Sequence, residues 1–102
     1  MDVFENVNVV KKANVYYEGR VTSRTVVFAD GSKKTLGIML AGTYTFNTDA
    51  AEVMEILSGN CEVRLGKNTL HVKAGEAFDV PEHSTFEIVC PGVVDYCCSF
   101  VK

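Results

Sequence analysis

Histidine is scarce in this chain: His71 and His83 are the only two among 102 residues. Transition metals on proteins favour imidazole and carboxylate ligands, so the scarcity weighs against metal-centred chemistry from the outset. An excess of cationic residues is missing too. Ten Lys and Arg face thirteen Asp and Glu, for a net charge of −3, which argues against a general nucleic-acid binder while leaving room for a local cationic patch. Although 47% of residues are hydrophobic, no apolar run is long enough to cross a bilayer, so no membrane association is expected and the chain reads as soluble and globular. The opening MDVFENVNVVKK lacks a basic leader, an apolar stretch and a small-residue cleavage site; no secretion signal is expected, and the cytoplasm is the expected compartment. Linkers, internal repeats and low-complexity segments are absent. A chain of this length is expected to form one domain, with a second copy a natural source of extra stability.

Cysteine is present, but not in a pattern that makes a site. Cys61, Cys90, Cys97 and Cys98 form no CxxC pair and have no loop-type zinc spacing. Their expected role is that of small buried hydrophobes with free thiols.

What the chain does have is strands. VYYEGRVTSRTVVF (15–28), broken at Gly19, is β-branched and aromatic, and ADGSKK (29–34) reads as a turn with lysines at its end. TLGIML, TYTF, VMEIL, CEVRL, TLHV, EAFDV, TFEIVC and VDYCCSFV then follow at short spacing, separated by Gly-, Asn- and Pro-containing turns. In CEVRL and TLHV the alternation puts Cys61, Val63, Leu65, Leu70 and Val72 on one face, and Glu62, Arg64 and His71 on the other. Only the first dozen residues leave room for a short helix. So many short strands favour a closed or double-sheet antiparallel architecture, a jelly roll or another compact barrel.

Two stretches resemble the paired motifs of the cupins, small β-barrels that often hold a metal with histidines. Glu52, followed after six residues by Gly59, matches the tail of the first motif; Gly75 and Pro81 match the front of the second. A metal-binding cupin would carry two histidines shortly before Glu52, where this chain has TYTFNT (43–48), and another at the position of Phe86. His71 lies on the polar face of its strand and His83 in the turn after Pro81, so no metal ligand set is expected.

At finer grain, YYEGRV (16–21), TLGIMLAGTYTFNT (35–48), EVMEILSG (52–59), GEAFDVPEHSTFEI (75–88) and YCCSF (96–100) together resemble the pyrimidine/purine nucleoside phosphorylases of the small cupin type. The combination of GIM, YTF-x-T, E-x-M and VP-x-x-S-x-F carries the resemblance. It runs from about residue 16 to the end, and divides the chain into an N-terminal extension (1–14) and a cupin domain (15–102). The resemblance implies an all-β, single-domain cupin-like β-barrel (jelly roll), usually a homodimer, that splits nucleosides with phosphate to free base and ribose 1-phosphate. No cofactor is implied; phosphate is the co-substrate.

Phosphorolysis passes through a cation-like sugar, as glycoside cleavage does. Its site needs cationic or N–H donors for phosphate, a carboxylate near the ribose and a donor for the departing base. Glu52 suits the ribose, with Glu55 as a second carboxylate. Tyr44 and Phe46 offer π faces to any base, although strand aromatics also fill cores. Thr48 and Ser84 carry hydroxyls able to serve phosphate or ribose, or to cap a turn. His83 is a donor for the leaving base near neutral pH. Arg20, Lys33 and Lys34 are the cations available for phosphate, alongside backbone N–H groups in the turns. Thr43 stands where the family usually has glutamate, which opens a second reading: a cupin-fold module that binds a nucleoside or sugar without cleaving it. YYEGRV and YCCSFV are the candidate strands for a dimer interface.

Overall fold

The computed structural model describes residues 2–101. Its strands are β1 (Asn8–Val9), β2 (Asn14–Tyr16), β3 (Val21–Val27), β4 (Lys33–Met39), β5 (Gly42–Asn47), β6 (Ala51–Ser58), β7 (Asn60–Leu65), β8 (Asn68–Lys73), β9 (Ala77–Val80), β10 (Thr85–Cys90) and β11 (Val94–Val101). They form two antiparallel sheets. One has the order β1-β3-β4-β11-β6-β9, with β2 also paired to β3; the other has the order β5-β10-β7-β8. The inward faces meet in one core that includes Val21, Tyr44, Ile56, Val63, Phe86 and Ile88. The strand alternation read in CEVRL and TLHV is realised at Cys61, Val63 and Val72, which are buried, whereas Leu70 stays exposed.

The larger sheet carries the site, and its cross-strand register fixes three levels on the concave face. Asn14 pairs with Ser23, Ser23 with Gly37 and Gly37 with Tyr96, giving one continuous row. Above it Thr25 pairs with Thr35, Thr35 with Cys98 and Cys98 with Met54. At the upper rim Phe100 pairs with Glu52 and Glu52 with Val80. Lys34 pairs with Ser99, so Lys33, one residue earlier on β4, stands level with Phe100.

The structure adds local detail that the sequence did not show. Residues 2–12 contain no helix; Asn8 and Val9 form a short strand paired with Val27 and Val26. Asn14, assigned to the extension, is the first residue of β2 and pairs with Ser23. Lys33 and Lys34 open β4 instead of closing a turn, so strand alternation sends them to opposite faces. YCCSFV lies within β11, which is hydrogen-bonded to β4 on one side and β6 on the other. Both of its edges are therefore taken, which leaves only its faces for contact with a partner.

YYEGRV is not one continuous strand: Tyr16 ends β2 and Val21 begins β3. Tyr17–Gly19 is a single 3₁₀ turn, with Tyr17 and Glu18 at φ 51° and 57°, a region L-residues seldom occupy. This turn ties the sheets together. The Tyr17 hydroxyl donates to the Thr45 carbonyl and accepts from the Thr45 N–H, so one side chain satisfies both backbone groups on the outer edge of β5.

Candidate functional site

Between the sheets, at the end where β4 begins and β11 finishes, lies a cavity of about 170 Å³ lined by residues of both. Its walls are mostly apolar and aromatic: Met39, Phe46, Met54 and Phe86, with Tyr16 and Phe100 also lining it. Tyr16 and Phe100 remain nearly half exposed; Phe100 is level with Glu52, whereas Tyr16, opposite Val21 and Met39, lies at the other end of the lining. Phe46 stands edge-on to Tyr16 at 6.2 Å and tilted against Phe86 at 5.8 Å between ring centroids. The polar lining is Ser23, Thr35, Asn47, Glu52, Tyr96 and Cys98.

Glu52 is the carboxylate of this lining. Burial raises its pKa above the usual value near 4.5, and hydrogen bonding with Cys98 acts in the opposite direction. The Cys98 thiol is pushed far up by burial, then by the charge and hydrogen bonding of Glu52. The thiol therefore stays protonated as a weak donor beside the carboxylate. Tyr96 is pushed up to about 12, mainly by burial, with hydrogen bonding from Ser23 acting against the rise. Ser23 in turn accepts from the Asn14 side-chain amide at 3.2 Å, and the same amide donates to Thr25 at 3.2 Å.

Gly37 makes this arrangement possible. A Cβ there would lie 2.8 Å from both Cζ and Oη of Tyr96. Without one, the tyrosine ring lies across β4 and brings its hydroxyl towards Ser23 on β3.

The residues singled out from sequence divide sharply. Glu52 and Phe46 line the cavity. Tyr44 is 1% exposed and sits in the core; its hydroxyl donates to the carbonyls of Leu40 (2.7 Å) and Ala41 (3.3 Å). Glu55, an odd number of residues from Glu52, lies on the convex face of β6 with Leu36, Leu57, Cys97 and the N-terminal segment. Thr48 is buried; its hydroxyl donates to Pro81 O at 2.6 Å and accepts from Ser84 N at 3.0 Å. The Ser84 hydroxyl bonds Glu82 O at 3.2 Å. Both hydroxyls therefore fasten the turn between β9 and β10. His83, at φ 51° in that turn, is exposed and absent from the cavity lining. The turn itself is at the mouth end, because Val80 pairs with Glu52 and Thr85 with Asn47.

The cations separate as well. Lys33 shares the concave-face parity of Thr35 and stands at the rim. Lys34 faces the other way, 5.7 Å and 5.9 Å from the ring centroids of Phe4 and Phe28. Arg20 precedes β3 at the far end of the barrel, beside Gly42 and Tyr44, roughly 20 Å from Lys33 at the usual rise per strand residue. Thr43 is exposed on the opposite face of β5 from Tyr44 and Phe46, so its side chain does not enter the cavity. Sequence reasoning missed Tyr96, Ser23, Thr35, Asn47 and Cys98 as lining. Only the alternation of YCCSF hinted at Tyr96 and Cys98.

Two antiparallel sheets enclosing an aromatic pocket with a rim carboxylate define a cupin-type barrel. An RmlC-like cupin from Shewanella frigidimarina superposes with a TM-score of 0.71 at 18% identity, covering 97% of this chain and 86% of that one. Among the described residues no group of three His, Cys, Asp or Glu side chains is placed to hold a metal ion. Residues 11–100 match the family described as pyrimidine/purine nucleoside phosphorylase. A protein of that name from Citrifermentans bemidjiense is 58% identical over 99% of this chain and 100% of its own. One from Wolinella succinogenes is 59% identical over 99% of this chain and 98% of its own. The crystal structure of an Acinetobacter protein of unknown function superposes with a TM-score of 0.93 at 43% identity, covering 97% and 98% of the two chains. The chain belongs to the pyrimidine/purine nucleoside phosphorylase family.

Proposed function

We infer that this chain carries its family's activity, phosphorolysis of purine and pyrimidine nucleosides, in the cavity beneath Glu52. The observation that carries the assignment of place is the half-buried Glu52 carboxylate above aromatic and thioether walls, with Lys33 level with it at the rim. Phosphate enters from the rim, where Lys33 offers a point charge. Glu52 accepts from the ribose hydroxyls and balances the positive charge that grows on the sugar. The base goes deepest, because displacement at the anomeric carbon puts nucleophile and leaving group on opposite sides. Flat walls of Phe46 and Phe86 with flexible Met39 and Met54 suit any base, which fits a broad substrate range.

In the reaction an oxygen of monohydrogen phosphate forms the new bond to the anomeric carbon. The carbon–nitrogen bond breaks, and its electron pair stays with the base. The proton lost by phosphate balances the one the base takes up, giving ribose 1-phosphate and neutral base. No step needs a metal or a redox group.

Purified protein incubated with uridine or adenosine tests this directly. Release of base and ribose 1-phosphate in equal amounts, dependent on phosphate and unchanged by EDTA, is expected. Saturable nucleoside binding without release would establish the binding-module reading instead, and loss on chelation would restore a metal.

The homodimer and the cytoplasmic setting belong to the same proposal. Exposed apolar side chains such as Val15, Leu57 and Val93, at 61%, 46% and 56% exposure, supply surface for a second copy to cover. Four free buried thiols suit a reducing compartment. Light scattering at twice the 11.2 kDa chain mass is the expected result; a monomer at micromolar concentration would contradict it.

A further inference from the structure

We propose that Tyr96 is the hydrogen-bond donor to the departing base, held in place by Ser23 and Asn14. The proposal rests on the phosphorylase reading above and names a group that reading leaves unassigned.

The geometry is a single row across four strands, Asn14–Ser23–Gly37–Tyr96. Gly37 leaves the row open, and the ring of Tyr96 fills the gap. The Asn14 amide donates to the Ser23 oxygen, which leaves the Ser23 proton for another acceptor, and the Tyr96 hydroxyl, lying over Gly37 in the same row, is the neighbour able to take it. With its oxygen offered to Ser23, Tyr96 can turn its own proton into the cavity that it lines. Ser23 and Asn14 are thus positioning residues. Tyr96 is the catalytic residue, because it would touch the base.

Its level in the barrel fits the role. Glu52 is on the rim row, whereas Tyr96 is two rows deeper, where in-line attack from the rim places the leaving group. The other donors nearby are higher in the barrel: Asn47, His83 and Lys33 are at the mouth end, and Thr35 is one row above Tyr96. Burial keeps the Tyr96 hydroxyl protonated across the neutral range, so it acts by stabilising negative charge on the base nitrogen or carbonyl as the bond breaks, with no need for complete proton transfer. Solvent supplies the base's proton, and phosphate releases one, so the balance stated above is unchanged.

The test is the dependence of rate on leaving-group acidity, measured with uridine, 5-fluorouridine and 5-nitrouridine. Tyr96→Phe keeps the ring on Gly37 and removes only the hydroxyl. It is expected to lower kcat about 100-fold on uridine, the usual loss of one such donor. On 5-nitrouridine, whose base leaves readily without help, the loss is expected to be about 10-fold or less. The KM for phosphate should stay within about 2-fold. Ser23→Ala should show the same selectivity with a smaller loss, about 3- to 10-fold on uridine. Equal losses on all three nucleosides, or none on uridine, would overturn the proposal by making Tyr96 a packing residue. Should Tyr96→Phe lose its cooperative melting transition, Ser23→Ala and Asn14→Ala decide by the same criterion. Absence of base release by the wild-type protein is a separate result, which removes the phosphorylase reading itself.

Discussion

Glu52 and Lys33 illustrate how single side chains acquire roles from the face they occupy. Because burial raises the Glu52 pKa, its carboxylate, to which we assign the ribose hydroxyls, is lost at a higher pH than an exposed glutamate would be. The acid limb of kcat/KM for uridine should therefore lie above pH 4.5. Once rates are referred to the concentration of the monohydrogen phosphate ion, that limb should disappear in Glu52→Gln together with about 100-fold of the rate, the scale for one charge-stabilising group. A pH–rate profile of the two proteins checks both, and a fully active glutamine variant would remove Glu52 from the mechanism. The lysines give a paired comparison. Lys33→Ala should raise the KM for phosphate about 10-fold, roughly the value of one charge-assisted contact, whereas Lys34→Ala, on the far face against Phe4 and Phe28, should change it less than about 2-fold. Restoring the family's usual residue with Thr43→Glu should leave the rate within about 2-fold, since that position faces away from the cavity; a large gain would show that the convex face of β5 takes part. Glu52 was legible in the sequence because the cupin spacing marks it. The lysines were not, because a one-residue difference in where β4 starts decides which of them looks inward.

At the scale of elements, the strands themselves were legible from β-branched and aromatic runs between glycine turns, but their neighbours were not. Nothing local in YCCSFV says that it runs between β4 and β6; that order is set by contacts distant in sequence. The same non-local pairing creates the row that ends at Tyr96, so a donor on the last strand and a glycine on the fourth became one device only when the sheet closed. Gly37 is where this device is most easily broken. A methyl group there would press on the Tyr96 ring at 2.8 Å and on the Thr22 carbonyl, and overpacking of this kind costs about 1–3 kcal/mol. Gly37→Ala should lower the urea midpoint accordingly, with uridine cleavage falling further than stability alone explains because the hydroxyl is displaced. An alanine variant with wild-type stability and rate would show that the sheet relaxes around it. The Tyr17 strap is a second such element. Its loss in Tyr17→Phe should cost only about 1 kcal/mol, because Thr45 is exposed and water replaces the hydroxyl.

For the molecule as a whole, the buried acids that stay neutral set how stability responds to alkali. Burial pushes Cys61 and Cys90 up to about 11 from the usual value near 9 and Tyr96 up to about 12 from 10, while Cys97 and Cys98 shift in the same direction. In the unfolded chain these thiols ionise near pH 9, but in the folded barrel they hold their protons. Below pH 9 both states are protonated and the fold has the full benefit. Above it the unfolded state binds fewer protons, so stability falls as pH rises, until the folded groups ionise near pH 11 to 12. A two-unit shift corresponds to at most about 2 or 3 kcal/mol per group, enough for two or three such groups to remove much of a small domain's stability. Urea unfolding followed from pH 7 to 10.5 should show a plateau and then a decline that begins near pH 9. Cys61→Ala with Cys90→Ala should flatten that decline, even though the cavities left behind lower the plateau. The same burial predicts that the native protein at pH 8 reacts with a thiol reagent such as Ellman's far more slowly than the urea-unfolded chain. A constant unfolding free energy through pH 10.5, or rapid native labelling, would mean that these thiols are open to water and that the barrel core is looser than its packing indicates.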